Sequence, residues 1–473
     1  MLARLRPYIL LFVALTVVYH ANLRPVDASD TLPGSLIPFA VVLDHSVTLD
    51  RFVPWLRVHV RYTGTVTFQA HGHYFSAYPI GAPLFVSPLY LPFAFVGRFR
   101  EWDPGSLVMF ARIAEKFTAT AIAALSAVVL LLLLKRITSG PWAWFLTLVY
   151  ALGTETWSIS SQALWQHGPG ELAIIGCFLC LDRWSENPAR NGSLWLSGAC
   201  AAAAFIIRPT NILLLPALLA ALLLAQATLE RRILVFVRLF TVPLCAGLLL
   251  LSYNLYIFHN VAGAYSVAGL YGSMLRGLAG LFFSPARGLL IYTPIALFAV
   301  FAFLPGARAV RRQHSPLVAA AVIFVVLDSL VVSLWAVWWG GYCWGPRLLT
   351  ELAPPLILLM AVGVPWIERS GLRAWPRRAF AVLALYSLLI QAIGVFFYPK
   401  GRWDGTPRSV DAAPARLWDW RDNPIARAIV GGPTWEPYAI VGAALTGGIP
   451  AAQRRMRELN ANPYDESPPA GLP

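Results

Sequence analysis

The sequence predicts an all-α protein that crosses a membrane about eleven times, and three observations support this. Hydrophobic residues make up 58% of the 473 residues, and charged residues only 13%. The apolar residues are grouped in repeated runs that approach the length needed to cross a bilayer. Short clusters of Lys and Arg separate these runs, as they do in the cytoplasmic loops of membrane proteins.

The net charge of +14 does not indicate nucleic-acid binding. The basic residues are spread over the short connections between apolar runs, where they orient helices in the membrane. Two of the five cysteines, Cys177 and Cys180, form a CxxC pattern inside an apolar run, which favours packing over redox chemistry. The sequence has no Walker A motif and no GxGxxG, so neither ATP nor a dinucleotide is indicated.

The N-terminal part is predicted to be an uncleaved anchor followed by a long external loop. The anchor, at 7–21, follows Arg4 and Arg6, which place the N-terminus in the cytoplasm. Residues 22–104 then lie outside, with a short amphipathic helix at 34–43 and a hairpin-like stretch at 58–78. The apolar run 79–97 contains four prolines, which predict a broken helix along the outer face. A span there would move every later basic cluster outside.

The rest of the chain is predicted to contain ten further spans and a polar tail. The spans are placed at 106–134, 141–153, 169–182, 193–207, from Pro209 onward, 239–257, 289–304, 316–337, 348–367 and 379–397. The inner loops are marked by Lys135 and Arg136, Arg183 and Arg190, Arg231, Arg232 and Arg238, Arg308, Arg311 and Arg312, and the arginines of 369–378. Residues 1–398 form the membrane domain and 399–473 an external tail, whose last ~15 residues are predicted to be disordered.

One aromatic, glycine-rich stretch is unusual for its position between two membrane runs. Residues 338–347 read Trp-Trp-Gly-Gly-Tyr-Cys-Trp-Gly-Pro-Arg, and the glycines and proline exclude a regular helix. Trp344 and its neighbours, with Arg347 at the mouth of the next helix, suit a cradle for the phosphate of a lipid. The alternative is an interfacial aromatic belt with an Arg reaching the surface.

Two acidic residues follow the first helix, Asp27 and Asp30. A carboxylate fixed at the membrane surface can accept the proton of an attacking hydroxyl, and Asp30 is the first candidate for this role. Asp27, three residues earlier, is its rival. The alternative for Asp30 is that it caps the helix at 34–43 or lies in a solvated loop.

Further candidates lie at the predicted outer ends of helices. Trp165 can stack on a sugar, and His167 can orient the base, bind a metal or contact a sugar; both can instead be interfacial and capping residues. Arg287 follows Ser284 before a helix N-terminus, an arrangement that suits an anion or a capped helix start. Arg208 is a similar candidate. His71 and His73 offer two metal ligands without a clear third, so a divalent metal is left open.

Taken together, these motifs resemble the GT-C superfamily of polytopic glycosyltransferases, in particular bacterial relatives of the dolichyl-phosphate-mannose protein mannosyltransferases and the lipid A aminoarabinose transferases. The resemblance covers about residues 1–400, and the tail lies outside it. The matching features are the early acidic residues of the first loop, the Tyr78-Pro79 segment, Trp165-Gln166-His167, Ser284–Gly288 and Trp338–Arg347.

The resemblance implies a polyprenyl-phosphate sugar donor and transfer to a hydroxyl acceptor on the periplasmic face of a bacterial inner membrane. It implies Asp30 as the base, with Arg287 and Arg347 holding the donor phosphate. Two departures separate this chain from the family. The adjacent Asp-Glu pair of the protein mannosyltransferases is absent, and Trp165-Gln166-His167 replaces an Arg-Pro-Asp-like motif. A lipid-linked sugar transporter and a non-catalytic assembly subunit remain the alternatives.

Overall fold

A computed structural model describes residues 2–24, 28, 30–60, 66–95, 98–225, 229–264, 269–369, 375–398 and 402–460. The N-terminal part contains helices α1 (Leu2–His20), α2 (Leu32–Asp44) and α3 (Val53–His59), strands β1 (Thr67–Ala70) and β2 (His73–Ser76), and helices α4 (Gly81–Val86) and α5 (Leu91–Phe95). The middle part contains α6 (Pro104–Ile137), α7 (Gly140–Gly153), α8 (His167–Glu186), α9 (Asn191–Ile207), α10 (Leu214–Ala225) and α11 (Leu229–Phe258).

The C-terminal part continues with α12 (Met274–Phe283), α13 (Leu289–Tyr292), α14 (Arg308–Gln313), α15 (Ser315–Ser333), α16 (Ala353–Arg369) and α17 (Trp375–Phe396). The tail adds α18 (Arg402–Gly405), α19 (Pro424–Gly431) and α20 (Glu436–Asn460). Short 3₁₀ helices include Pro209–Leu213, Pro294–Phe303 and Arg347–Leu352, and a π-helical turn covers Thr156–Ser160. The molecule is therefore predominantly helical, as the sequence predicts.

Five helical segments of the described residues are long and apolar enough to cross a membrane: Pro104–Ile137, Arg232–Phe258, Ser315–Ser333, Arg347–Arg369 and Trp375–Phe396. Pro294–Phe303 and Pro305–Gln313 add a sixth if this pair, bent by 70°, counts as one span. The protein is thus membrane-embedded, but about eleven spans are not confirmed. Several apolar helices are only 10–17 residues long, among them Asn191–Ile207 and Pro209–Leu223. About 20 residues are needed to cross the hydrocarbon core without distortion.

The segment after α1 folds largely as its sequence pattern predicts. Strands β1 and β2 form the expected antiparallel hairpin, with Phe68 opposite Phe75. Within the proline-rich run 79–97, residues 81–95 form a broken helix, because α4, a 3₁₀ turn and α5 follow one another. Helix α2 is present but is buried on nearly all sides, so its predicted amphipathic character is wrong. Helix α3 is an addition that the sequence pattern does not indicate.

Two boundaries differ from the prediction. Positions 231, 232 and 238, predicted to form a basic loop, lie within the 30-residue helix α11. The predicted helix 289–304 divides at Pro294 into α13 and a 3₁₀ helix, since proline has no N–H to continue the α-helical bonding.

The tail packs against the membrane domain. The Ser284 hydroxyl donates to the Leu417 carbonyl at 2.6 Å, and the Thr434 amide donates to the Phe396 carbonyl at 2.8 Å. Asp404 pairs with Arg287. These bonds fix the tail to the end of the helices at which the 338–346 loop lies.

Candidate active site

The glycine-rich loop before Arg347 is irregular, as predicted, and its glycines have a steric role. Gly340, Gly341 and Gly345 have φ angles of 73°, 70° and 63°, in the left-handed region that favours glycine. A Cβ on Gly345 would lie 2.8 Å from the ring of Tyr292. The loop folds back so that Nη2 of Arg347 donates to the Gly340 carbonyl at 2.7 Å, which aims the guanidinium at the first loop.

Asp30 is held by two of the residues that the sequence singles out. One carboxylate oxygen accepts a hydrogen bond from Nε1 of Trp165 at 2.9 Å, and the other accepts one from Nη1 of Arg347. The Arg347 guanidinium also lies over the Trp165 ring, 5.7 Å from its centroid. Residues 317 positions apart in the sequence thus meet in one charged cluster.

A partly buried ion pair on α6 fastens the loops that carry Asp30 and Trp165. Arg112 donates to the Ala28 carbonyl at 2.9 Å and to the Thr31 hydroxyl at 3.1 Å. It also pairs with Glu115 at 2.8 Å, and Glu115 accepts the Leu164 amide at 2.9 Å. Arg112 and Glu115 therefore help to position Asp30 and Trp165 through the residues next to them in the chain.

A second cluster joins His167, Arg208 and Glu351. The His167 Nδ1 atom lies 2.9 Å from a carboxylate oxygen of Glu351, and Arg208 forms an ion pair with the same oxygen. Arg208 also donates to the Leu348 carbonyl at 3.0 Å. Glu351 is completely buried, so it holds both basic side chains without being exposed itself. With Nδ1 directed at Glu351, the Nε2 atom of His167 remains for another partner.

These two clusters lie on one cavity of about 680 Å³. Its polar lining includes Asp30, Tyr78, Trp165, His167, Arg208 and Arg347. Its apolar lining comes from α9, the Pro209–Leu213 turn, α11 and α15, and includes Phe205, Leu213, Leu250, Leu251, Val331 and Val332. One part of the cavity thus suits an anionic group and another part a hydrocarbon chain.

The environment of Asp30 keeps this carboxylate ionised. Burial favours the neutral acid, but the charge and hydrogen bond of Arg347 outweigh it, and Trp165 and His167 act in the same direction. As a result, the pKa of Asp30 lies below the ordinary value of an aspartate. An ionised carboxylate in a cavity can accept a proton, although the ion pair makes it a weaker base.

Two predicted site residues do not line this cavity. Arg287 is fully buried, pairs with Asp404 and donates to the carbonyls of Trp339 and Gly341, each at 3.1 Å. Its assignment to the donor phosphate is therefore corrected: it fixes the 338–346 loop against the tail. Trp344 packs with Tyr292 and Tyr398 in a buried aromatic cluster and has no place in the cavity wall. Asp27, the second base candidate, lies outside the described residues.

The two histidines considered as metal ligands have other partners. The ring of His71 stacks on Tyr256, and His73 pairs with Asp50 at 2.6 Å. Among the described residues, no group of three or more His, Cys, Asp or Glu side chains could hold a metal ion.

Glu351 is the main site residue that the sequence analysis missed. It lies in the run 348–367, which is otherwise almost entirely apolar. A carboxylate there is costly in hydrocarbon unless it has a partner, and this signal could have identified it. Its spacing of four residues from Arg347 could also have drawn attention to it.

No protein-family model matches this chain, and no curated protein matches it.

Proposed function

We propose that the chain is an integral-membrane glycosyltransferase of the GT-C type, which moves a sugar from a polyprenyl-phosphate donor to an acceptor hydroxyl of a lipid, glycan or protein. A single observation carries the proposal. One 680 Å³ cavity combines a carboxylate, two arginines and a histidine with an apolar lining. A lipid-linked phosphate needs both kinds of surface next to each other, and a sugar acceptor needs the carboxylate.

In this proposal Arg347 and Arg208 bind the donor phosphate, and His167 supports them through Nε2. Cations aimed at phosphate oxygens act strongly in a site of low dielectric constant, where they stabilise the negative charge of the leaving group. The lining from α11 and α15 receives the first part of the hydrocarbon chain. Tyr78 and Trp165 border the remaining space, where the sugar is placed.

The chemical step is a single displacement. Asp30 accepts the proton of the acceptor hydroxyl while that oxygen forms a bond to the anomeric carbon of the sugar. The bond from this carbon to the phosphate oxygen breaks, and the polyprenyl phosphate leaves with the electron pair. Attack from the side opposite the leaving group inverts the anomeric configuration. The products are the glycosylated acceptor, the polyprenyl phosphate and a protonated Asp30, which returns its proton to water.

The proposed location is a bacterial inner membrane, with the N-terminus in the cytoplasm and the cavity and tail on the periplasmic side. The positions of the clusters along two helices support this arrangement. His167 begins α8, and Val331 and Val332 lie near the end of α15, so the cavity lies at one end of each helix. Asp182 and His314 lie at the opposite ends, next to the basic residues Arg136 and Arg183 expected in the cytoplasm.

About eleven crossings require the short helices to span as well. A helix of 17 residues, such as α9, extends for roughly 26 Å, less than the ~30 Å hydrocarbon core. In this proposal the bent pair Pro294–Phe303 and Pro305–Gln313 forms one crossing, and local thinning of the bilayer accommodates the short helices.

The direct test uses purified protein in lipid nanodiscs with radiolabelled polyprenyl-phosphate sugars and a mixture of membrane glycolipids as acceptors. We expect label to move to the acceptor in the wild type and not in Asp30→Asn. Asp50→Asn is the matched control, because Asp50 lies between α2 and α3, pairs with His73 of the hairpin and does not line the cavity. Equal turnover in wild type and Asp30→Asn would remove Asp30 from the role of base.

A transporter of lipid-linked sugars is the second candidate, and one observation favours it. Glu155, Glu171 and Asp328 are fully or almost fully buried among the helices and lie outside the cavity lining. Buried carboxylates within a membrane are typical of transport paths. Movement of a fluorescent polyprenyl-phosphate sugar across liposomes, without any transfer to acceptor, would support this candidate. A non-catalytic assembly subunit would show neither activity.

A further inference from the structure

We propose that the Asp30 carboxylate and the donor phosphate compete for Arg347, so that the donor must bind before Asp30 can deprotonate an acceptor. This inference rests on the proposed function and adds an order of binding to it. The Asp30–Arg347 ion pair is then the resting form of the site, and a phosphate takes the place of the carboxylate on the guanidinium.

The geometry of Arg347 makes the competition direct. Its Nη2 atom donates to the Gly340 carbonyl at 2.7 Å, and one face of the guanidinium lies over Trp165. Its Nη1 atom is directed at Asp30. Carboxylate and phosphate oxygens use the same donors of an arginine with similar geometry. A phosphate that enters the cavity and binds Arg347 at Nη1 therefore meets the atom that Asp30 already occupies.

The other arginine of the cavity is bound differently. Arg208 pairs with Glu351, which is fully buried and does not line the cavity. Glu351 therefore cannot be replaced by a ligand that comes from the cavity. Asp30 lies on the connection between α1 and α2, and its side chain is 24% exposed. It lines the cavity together with Arg347. Of these two arginine–carboxylate pairs, only Asp30–Arg347 presents both partners to a ligand.

The exchange has a chemical consequence. While Arg347 is paired with Asp30, it opposes protonation of the carboxylate and weakens it as a base. When Arg347 turns to a phosphate, Asp30 loses this neighbour and keeps its bond to Trp165, which holds it in place. His167 is the other titratable group that acts on Asp30, and it is itself held by Glu351. The base thus gains strength only when a donor is present.

The test measures binding of polyprenyl phosphate to the full-length protein in nanodiscs, without sugar or acceptor. Asp30→Asn removes the competing charge, and we expect it to bind this lipid about ten-fold more tightly than the wild type. Asp50→Asn should bind as the wild type does. Asp30→Ser provides a second variant if Asp30→Asn fails to fold. Equal affinities of wild type and both Asp30 variants would overturn the exchange.

Two further measurements distinguish a lipid phosphate from inorganic phosphate. They also distinguish failure of the exchange from failure of the proposed function. Inorganic phosphate should displace the lipid more effectively from Asp30→Asn than from the wild type, and uncharged polyprenol should bind all variants alike. If Asp30→Asn gained affinity for inorganic phosphate but not for the lipid, the lipid would be excluded as the ligand that competes with Asp30. If Arg347→Ala weakens lipid binding but the Asp30 variants leave it unchanged, the donor site stands and the exchange fails. If wild type and Asp30→Asn both fail to bind the lipid, the proposed function itself fails.

Discussion

Two clusters of similar side chains lie at opposite ends of α8 and α15. At one end Glu351 accepts hydrogen bonds from Arg208 and from Nδ1 of His167, which lies 2.9 Å away. At the other end Asp182 accepts hydrogen bonds from Arg136 and from Nδ1 of His314, which lies 2.6 Å away. Each cluster consists of an arginine, a carboxylate and a histidine, with the carboxylate almost completely buried.

The surroundings of the two clusters differ. Arg208 and His167 line the 680 Å³ cavity, next to the second pair formed by Asp30 and Arg347. None of the three residues of the Asp182 cluster lines that cavity, and Arg136 extends instead to the exposed Glu186 at 2.7 Å. Residue types and short distances alone therefore do not identify a site. A cavity and an adjacent charge that can change partners distinguish a candidate site from an ion pair that joins helices.

The two clusters should differ most in transfer rate when the central carboxylate charge of each is removed. In Glu351→Gln, Arg208 and His167 lose the group that orients them, and we expect the transfer rate to fall by roughly 100-fold or more, as with loss of a group that stabilises the transition state. In Asp182→Asn, transfer per folded molecule should stay unchanged. The measurement is turnover of labelled donor in nanodiscs, normalised to folded protein.

Thermal unfolding of both variants provides the control. Breaking a buried pair on one side costs about 3–5 kcal/mol in the free energy of unfolding, so both variants should unfold at lower temperature than the wild type. A loss of turnover in Asp182→Asn equal to that in Glu351→Gln would contradict this distinction, because the two clusters would then be equally important for transfer.

Substitution of the arginine of each cluster, Arg208 or Arg136, should produce a smaller difference, in the KM for the donor. Arg208→Lys keeps the charge but loses the planar fork that serves both Glu351 and a phosphate, and we expect the KM for the donor to rise about ten-fold. Arg136→Lys should leave this KM unchanged. Initial rates at varied donor concentration test both variants. An unchanged KM in Arg208→Lys would exclude Arg208 from the donor site.

The sequence was sufficient for much of the local structure of the site. The glycines and proline before Arg347 exclude a regular helix, and the structure has an irregular loop there with left-handed φ angles. The prolines of 79–97 likewise predict the breaks between α4 and α5. Such features depend on neighbouring residues, and local rules describe them well.

Long-range pairing was not accessible from the sequence in the same way. Arg287 and Arg347 both precede helices in aromatic loops, and only the fold distinguishes them. Arg287 meets Asp404 of the tail, 117 positions later, whereas Arg347 meets Asp30 of the first loop. The partner of a charge depends on how helices pack, which no local pattern encodes. For the same reason no local pattern distinguishes Glu351, within an apolar run, as the partner of Arg208 and His167.

A few-fold effect is expected from the indole that holds Asp30. Trp165→Phe keeps the ring and removes the hydrogen bond from Nε1, which is worth about 0.5–1.5 kcal/mol, so turnover should fall by roughly 2- to 12-fold. Trp339→Phe is the matched control, because its Nε1 donates to Asp411 at 2.8 Å and it does not line the cavity. Equal losses in both variants would mean that the bond stabilises the fold and has no specific role beside the cavity.

The smallest effect concerns the pH dependence of the Asp30–Arg347 pair. The folded pKa of Asp30 lies below the ordinary value, because Arg347 outweighs the effect of burial. The stability that this pair contributes is therefore fully present above the unfolded pKa, about 3.9, and is lost only as the pH falls through the lower folded value. The difference in unfolding temperature between wild type and Asp30→Asn should stay constant from about pH 8 to about pH 5. A difference that shrinks between about pH 7 and about pH 5 would mean that burial outweighs Arg347 and raises the pKa of Asp30. Asp30 would then be partly protonated in the resting protein. Asp30 would also be a stronger base without a phosphate taking Arg347 away from it.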